Sequence, residues 1–109
     1  MANFQGTCAW QGNSGTNYTY WVYPIRTRFT KDPGNYIYTK KDHLGRWVNV
    51  YTGQTQDLST RFDDHHAMPC ILRCGATHIH VHQNTGGKQA RLDEETDIRK
   101  YYDPTCNKQ

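Results

Sequence analysis

The stretch from residue 77 to residue 83, Thr-His-Ile-His-Val-His-Gln, alternates polar and apolar side chains without a break. Successive side chains of a β-strand point to opposite faces of the sheet, so a strand gathers Ile79 and Val81 on one face and the three histidines on the other. The apolar face requires a core beneath it, whereas the histidine face can be solvated. The segment therefore predicts a strand in a sheet with one buried face.

Three further segments carry the aromatic and β-branched residues that favour strands. Residues 17–23 stop at Pro24, which is typical of a strand at a sheet edge. Residues 36–39 and 47–51 flank a polar connection that contains a glycine, and together they predict a β-hairpin with a long loop. Residues 1–17 show no helical or strand period and are expected to form a loose lead-in.

Helical spacing and capping residues predict three helices. Asp57 is the expected N-cap of a helix through Leu58, Arg61, Phe62 and His65. A short helix is expected from Pro69 to Gly75, and a longer one from Gly86-Gly87 to about Tyr102, which Pro104 prevents from continuing. The predicted fold class is α+β, with a central, mostly antiparallel sheet of three to four strands flanked by helices.

Composition limits the classes of function. A chain of 109 residues fits one compact core, and eight Tyr and three Trp supply much of its apolar volume. The net charge of +3 permits an acidic polymer as partner without demanding one. No stretch approaches the roughly 18 apolar residues of a spanning helix, and no signal peptide is evident, so we expect a cytoplasmic protein without membrane contact. The four cysteines are then expected to be free thiols.

The last predicted helix places a carboxylate among apolar residues. At 100° per residue, Leu92, Glu95, Ile98 and Tyr102 share one stripe, whereas Glu94 lies about 100° away and is expected to face solvent. A carboxylate on an inward stripe costs several kcal/mol unless it is paired, protonated or bound to a metal. Helix geometry alone leaves open whether Glu95 pairs with an arginine or binds a metal.

Two motifs resemble those of the GIY-YIG nuclease family. Residues 33–36 (Pro-Gly-Asn-Tyr) are similar to its first motif and residues 51–55 (Tyr-Thr-Gly-Gln-Thr) to its second. Asn35 and Thr52 stand where the family has aliphatic residues. Arg61 follows Tyr51 by ten residues, like the arginine of the family, and His65 comes four residues later, where the family often has His or Tyr.

The closing pattern of the family is also present. Glu95 is followed by Pro104 and Asn107, nine and twelve residues later, and this spacing selects Glu95 over Glu94. The resemblance covers residues 31–107. It implies a nuclease-like domain over residues 31–109, preceded by an N-terminal extension over residues 1–30 that contributes an extra strand.

The resemblance implies a metal-dependent endonuclease that hydrolyses phosphodiester bonds. Glu95 would hold Mg²⁺ or Mn²⁺, a hard cation that needs only one or two protein carboxylates. Arg61 would clamp the phosphate, and Tyr51 would act as the general base. The remaining roles fall to Tyr36, which would orient water or phosphate, to His65 as a proton relay, and to Asn107 as a support. Taken singly, each of these residues also fits an ordinary structural role.

The resemblance implies nucleic acid, first of all DNA, as the partner. Family members commonly carry attached DNA-binding domains, so a separate targeting protein is expected here; the oligomeric state stays open. Two alternatives remain. A zinc site could use Cys70 and Cys74 with His80 and His82. A non-catalytic nucleic-acid-binding module could use exposed aromatics as stacking platforms.

Overall fold

A computed structural model describes residues 4–60 and 65–108 of the chain. The elements, in chain order, are β1 (Thr7–Gln11), β2 (Asn17–Pro24), β3 (Gly34–Lys41), β4 (Trp47–Thr55), α1 (Met68–Arg73), β5 (His78–Gln83), α2 (Lys88–Tyr102) and a 3₁₀ turn (Thr105–Lys108). The strands form one antiparallel sheet in the order β1-β2-β5-β3-β4. The α+β class is confirmed, with five strands where three to four were expected.

Each face of this sheet carries its own cluster of buried side chains. The first face is the one on which α1 packs; its strand residues include Tyr36, Tyr38, Tyr51, Ile79 and Val81. The second face is covered by α2, whose Ile98 packs against side chains of three strands, namely Trp10, Tyr20 and Ile37. Strand alternation therefore assigns neighbouring residues of β3 to opposite layers.

The histidine face of β5 is largely covered, which corrects the expectation of a solvated face, and His78 and His82 are only partly exposed. His80 is fully buried, and its Nδ1 accepts a hydrogen bond of 2.9 Å from Trp10 Nε1. The ring of Trp47 lies edge-on against His80, with centroids 4.7 Å apart. Alternation predicted which residues share a face. It did not predict that Trp10 of β1 and the helix α2 would lie on the histidine face.

The N-terminal segment is part of the sheet. β1 lies within the stretch expected to be a loose lead-in, and it pairs with β2 from Thr7 opposite Trp21 to Gln11 opposite Asn17. Because β1 occupies the outer position, β2 is an inner strand and the edge assignment was wrong. Pro24 is tolerated because it is the last residue of β2.

The two later helices match their expected positions, whereas the first expected helix lies partly outside the described residues. α1 begins at Met68 with Pro69 in its first turn, and α2 ends with Asp103 in the left-handed region (φ 50°). Asp57 accepts hydrogen bonds from the backbone N–H and the hydroxyl of Ser59, as a capping residue does. It begins a turn over residues 58–60, and the middle of the helix expected there lies outside the described residues.

Candidate functional site

Three of the residues selected from the sequence meet on the first face of the sheet. Tyr36 from β3 and Tyr51 from β4 have nearly parallel rings with centroids 6.1 Å apart. The ring of His65 lies edge-on to both, at 4.7 Å from Tyr51 and 5.7 Å from Tyr36. Tyr36 is fully buried and Tyr51 retains 8% of its surface exposed. Both phenols are therefore buried, and Tyr51 is the less deeply buried of the two.

Hydrogen bonding defines the tautomer of His65. Its Nδ1 accepts a bond of 3.0 Å from the backbone N–H of Ala67. In a neutral imidazole the proton is then on Nε2, which lies 2.7 Å from the hydroxyl oxygen of Tyr36. His65 thus donates to Tyr36 and fixes the orientation of the phenol.

Gly53 makes this arrangement possible. Tyr36 is paired with Gly53 across the hairpin, so the two residues share a face. A Cβ atom at position 53 would lie 2.6 Å from the Tyr36 hydroxyl and 2.9 Å from the ring of Tyr51. Real Cβ atoms do not approach other atoms so closely, so any larger residue would displace a phenol. Close packing against the two phenols explains the glycine of the second motif, and the motif alone did not indicate this packing.

Asn107 holds the outer edge of β4. Its side-chain oxygen accepts from the backbone N–H of Thr52 at 2.8 Å, and its amide nitrogen donates to the carbonyl of Thr52 at 2.9 Å. The amide thus replaces a neighbouring strand at the residue next to Tyr51. Asn107 therefore supports the backbone of β4, and both atoms of its amide are occupied in doing so.

Glu95 lies in the middle of α2, and its side chain is partly buried. Its side chain is 17% exposed, and its Oε2 accepts a hydrogen bond of 3.1 Å from Arg99. Arg99 also reaches the carbonyl of Asn107, at 3.5 Å. These contacts connect Glu95, through Arg99 and Asn107, to the strand that carries Tyr51. The arginine pairing that helix geometry left open is present.

Glu94, not Glu95, is the deeply buried carboxylate, which corrects the expected stripe. Its oxygens accept from the hydroxyl of Tyr20 at 2.5 Å and from Asn84 at 3.2 Å, and they lie 2.9–3.0 Å from Nδ1 of His82. The buried residues of α2 are Arg91, Glu94 and Ile98. The helix is rotated towards this polar network, which a count of apolar residues could not predict.

The network shifts the pKa values of its members. A hydrogen bond to Glu94 raises the pKa of His82, so the imidazolium is favoured beside the carboxylate. Burial, reinforced by the charge of Glu94, raises the pKa of the Tyr20 phenol well above its usual range. This cluster is a structural ion pair under α2, on the opposite sheet face from Tyr36 and Tyr51.

The structure does not bring the expected zinc ligands together. Cys70 lies in the core under the first face, whereas His80 lies on the second face with its Nδ1 occupied by Trp10. Cys70 instead forms a disulfide with Cys106, which corrects the expectation that all four cysteines are free thiols. Cys8 and Cys74 are free and half-buried.

The structure thus brings Tyr36, Tyr51 and His65 together on the first face. Glu95 is on α2, which covers the second face, and it is connected to Asn107 through Arg99. Arg61 lies outside the described residues. Among the described helices, none has the length and apolar character needed to cross a membrane. No protein-family profile, curated protein or solved structure matches the chain.

Proposed function

We propose that the chain is a GIY-YIG-type endonuclease that hydrolyses nucleic-acid phosphodiester bonds with the help of a divalent metal ion. The observation that carries the proposal is the cluster of Tyr36, Tyr51 and His65, in which the Tyr36 hydroxyl lies 2.7 Å from Nε2 of His65. Three separate segments contribute these residues, which are three of the six that the motif spacing selects. The β5-β3-β4 part of the sheet, with the motif tyrosines on β3 and β4, also supports the proposal.

The burial of each group supports a division of roles. Tyr51, the less deeply buried of the two phenols, is the general base that accepts the proton of the attacking water. Tyr36 is fully buried and His65 nearly so, which suits positioning residues that hold Tyr51 by ring packing. Asn107 keeps the backbone of Thr52 in place beside Tyr51. Arg61 is assigned to the scissile phosphate by its place in the motif alone.

The side chain of Glu95, in the middle of α2, fits a hard cation. Mg²⁺ keeps several waters and requires only one or two carboxylates, and Glu95 is a partly exposed carboxylate that waters can reach. Glu94 is unsuited because Tyr20, His82 and Asn84 occupy its oxygens. A bound Mg²⁺ or Mn²⁺ would neutralise charge on the phosphate and lower the pKa of a bound water. Glu95 would hold it while Arg99 shares the carboxylate.

The substrate is nucleic acid, with DNA as the first candidate. A pocket of about 290 Å³ at the end of β4 is lined by Lys88 and Arg91 together with polar side chains, and it offers positive charge for neighbouring phosphates. The proposed location is the cytoplasm, with a separate targeting protein supplying specificity. A passive binder would instead use exposed aromatics such as Trp21 and Tyr101 and would need no metal.

Tyr51→Phe tests the role of the phenol, with Tyr101→Phe as the matched control because Tyr101 is exposed on α2. Cleavage of plasmid and single-stranded DNA is measured with Mg²⁺ and Mn²⁺ and again with a chelator. The proposal predicts loss of about 100-fold or more in Tyr51→Phe, no loss in Tyr101→Phe, and no cleavage with the chelator. Equal cleavage by the two variants would refute the assignment of Tyr51. DNA binding that persists without cleavage under every condition would support the passive binder.

A further inference from the structure

Three cysteines meet where α1 contacts the C-terminal 3₁₀ turn. The Sγ atoms of Cys70, Cys74 and Cys106 all lie within 4.8 Å of one another. Cys70 and Cys106 are joined as a disulfide with their Cα atoms 5.8 Å apart, and the sulfur of Cys74 lies 3.7 Å from that of Cys106. Cys70 and Cys106 are buried, whereas Cys74 is half-exposed. The free thiol of Cys74 therefore lies in contact with a disulfide.

The arrangement is unsuited to thiol–disulfide exchange. In-line attack by Cys74 on Cys106 requires three sulfurs in a row. The contact of 3.7 Å plus an S–S bond of about 2.0 Å would place the outer sulfurs roughly 5.7 Å apart. All three sulfurs lie within 4.8 Å instead, so they form a triangle. A triangle is the arrangement of three ligands on one side of a metal ion.

We propose that the reduced forms of Cys70, Cys74 and Cys106 constitute a binding site for a soft, thiophilic cation, Zn²⁺ in the first instance. Tetrahedral zinc with Zn–S bonds of about 2.3 Å places its thiolates about 3.8 Å apart. The contact between Cys74 and Cys106 already has this length, at 3.7 Å. The sulfurs of Cys70 and Cys106 must separate from bonding distance to about 3.8 Å, and these two residues are on different elements, with Cα atoms 5.8 Å apart.

The chemistry balances with a thiol reductant as the electron donor. A dithiol supplies two electrons and two protons to the Cys70–Cys106 bond and becomes a disulfide itself. The three thiols then release three protons as their sulfurs bind Zn²⁺. A water molecule takes the fourth position, on the half-exposed side at Cys74. The ammonium of Lys40, which donates to the carbonyl of Cys74 at 2.8 Å, offsets the net negative charge.

This site differs from the zinc site considered from the sequence, because Cys106 takes the place of both histidines. Its effect is to join α1 to the 3₁₀ turn that carries Asn107, by a disulfide under oxidising conditions and by a metal under reducing ones. Zinc occupancy of the three cysteines can be measured without any nuclease activity. Failure of either proposal therefore leaves the other intact.

The test uses the full chain, reduced with a non-chelating reductant and dialysed against Zn²⁺. Metal content is measured by mass spectrometry, and Co²⁺ is added separately as a spectroscopic probe of thiolate ligation. Cys74→Ser removes one ligand while leaving the disulfide pair intact, so the variant can fold. Cys8→Ser is the matched control, since Cys8 is also free and half-buried.

The proposal predicts about one Zn²⁺ per chain in the reduced wild type and in Cys8→Ser, with a thiolate-to-cobalt charge-transfer band in both. Cys74→Ser should lose the band and retain less than about a tenth of the zinc. Reduced wild type without zinc, or Cys74→Ser with undiminished zinc, would overturn the proposal. A shift of the disulfide to Cys74–Cys106 without zinc uptake would show that the third thiol serves exchange instead.

Discussion

Acidification should destabilise the fold through His80. Burial, with a smaller contribution from the charge of His78, lowers the pKa of His80 from 6.5 to about 3. The hydrogen bonds agree with a neutral ring, because Trp10 donates to Nδ1 and Nε2 then donates to Thr39 at 3.1 Å. A proton added to Nδ1 would face the indole N–H. The folded protein therefore keeps His80 neutral at pH 5, whereas the unfolded chain protonates it.

The direction and size of the effect follow from proton linkage. Between a pH of about 3 and 6.5 the unfolded state binds more protons, so stability is fully present above this window and falls as the pH is lowered. At pH 5 the unfolded pKa is about 1.5 units away, and about 1.36 kcal/mol per unit gives a loss of about 2 kcal/mol. His82 acts in the opposite direction: its raised pKa favours the fold at low pH, and that contribution is lost as the pH rises through the folded value.

Urea unfolding followed by tryptophan fluorescence at pH 7.5 and pH 5 measures the effect. His80→Gln should lose about 2 kcal/mol of the pH-dependent change relative to wild type, whereas His43→Gln, in the exposed β3–β4 loop, should retain it. His82→Gln should make the fall in stability steeper. An unchanged pH dependence in both His80→Gln and His82→Gln would show that neither histidine links protonation to stability.

Three further predictions concern packing and cross-linking. Gly53→Ala should displace Tyr36 or Tyr51 and destabilise the protein by about 1–3 kcal/mol, measured by thermal unfolding; an undisturbed melting curve would contradict the contact. Asn107→Ala should expose the edge of β4 at Thr52 and speed hydrogen exchange of that amide, and unchanged exchange would exclude the edge role. Reducing the buried disulfide in the presence of a chelator should cost about 3–4 kcal/mol, since the bridge spans 36 residues, and equal urea midpoints for both forms would refute this.

Local sequence patterns predicted the strands β2 to β5 and the helices α1 and α2. The alternation around Ile79 and Val81 and the glycines before α2 are features of a few consecutive residues, and they gave these elements nearly their observed bounds. The short β1 lacked such a signal. Its place depends on pairing with β2 and on Trp10, whose indole bonds to a histidine seventy residues away.

The structure brings three of the six residues that the motif spacing selected, Tyr36, Tyr51 and His65, into mutual contact. Helical periodicity placed Glu95 inside and Glu94 outside, whereas Glu94 is the more buried residue. Tyr20 and His82, from two other strands, stabilise the Glu94 carboxylate, and no property of the helix sequence contains that information.

The most direct test of the proposed function is metal-dependent cleavage by the wild type and Glu95→Gln, a change that keeps the shape of the side chain and removes its charge. Asp93→Asn is the matched control, because it removes one exposed negative charge from the same helix. We expect the wild type and Asp93→Asn to cleave DNA with Mg²⁺ or Mn²⁺, and the cleavage rate of Glu95→Gln to be lower by about 100-fold or more. Equal cleavage by Glu95→Gln and Asp93→Asn, or wild-type cleavage that needs no metal, would contradict the proposed function.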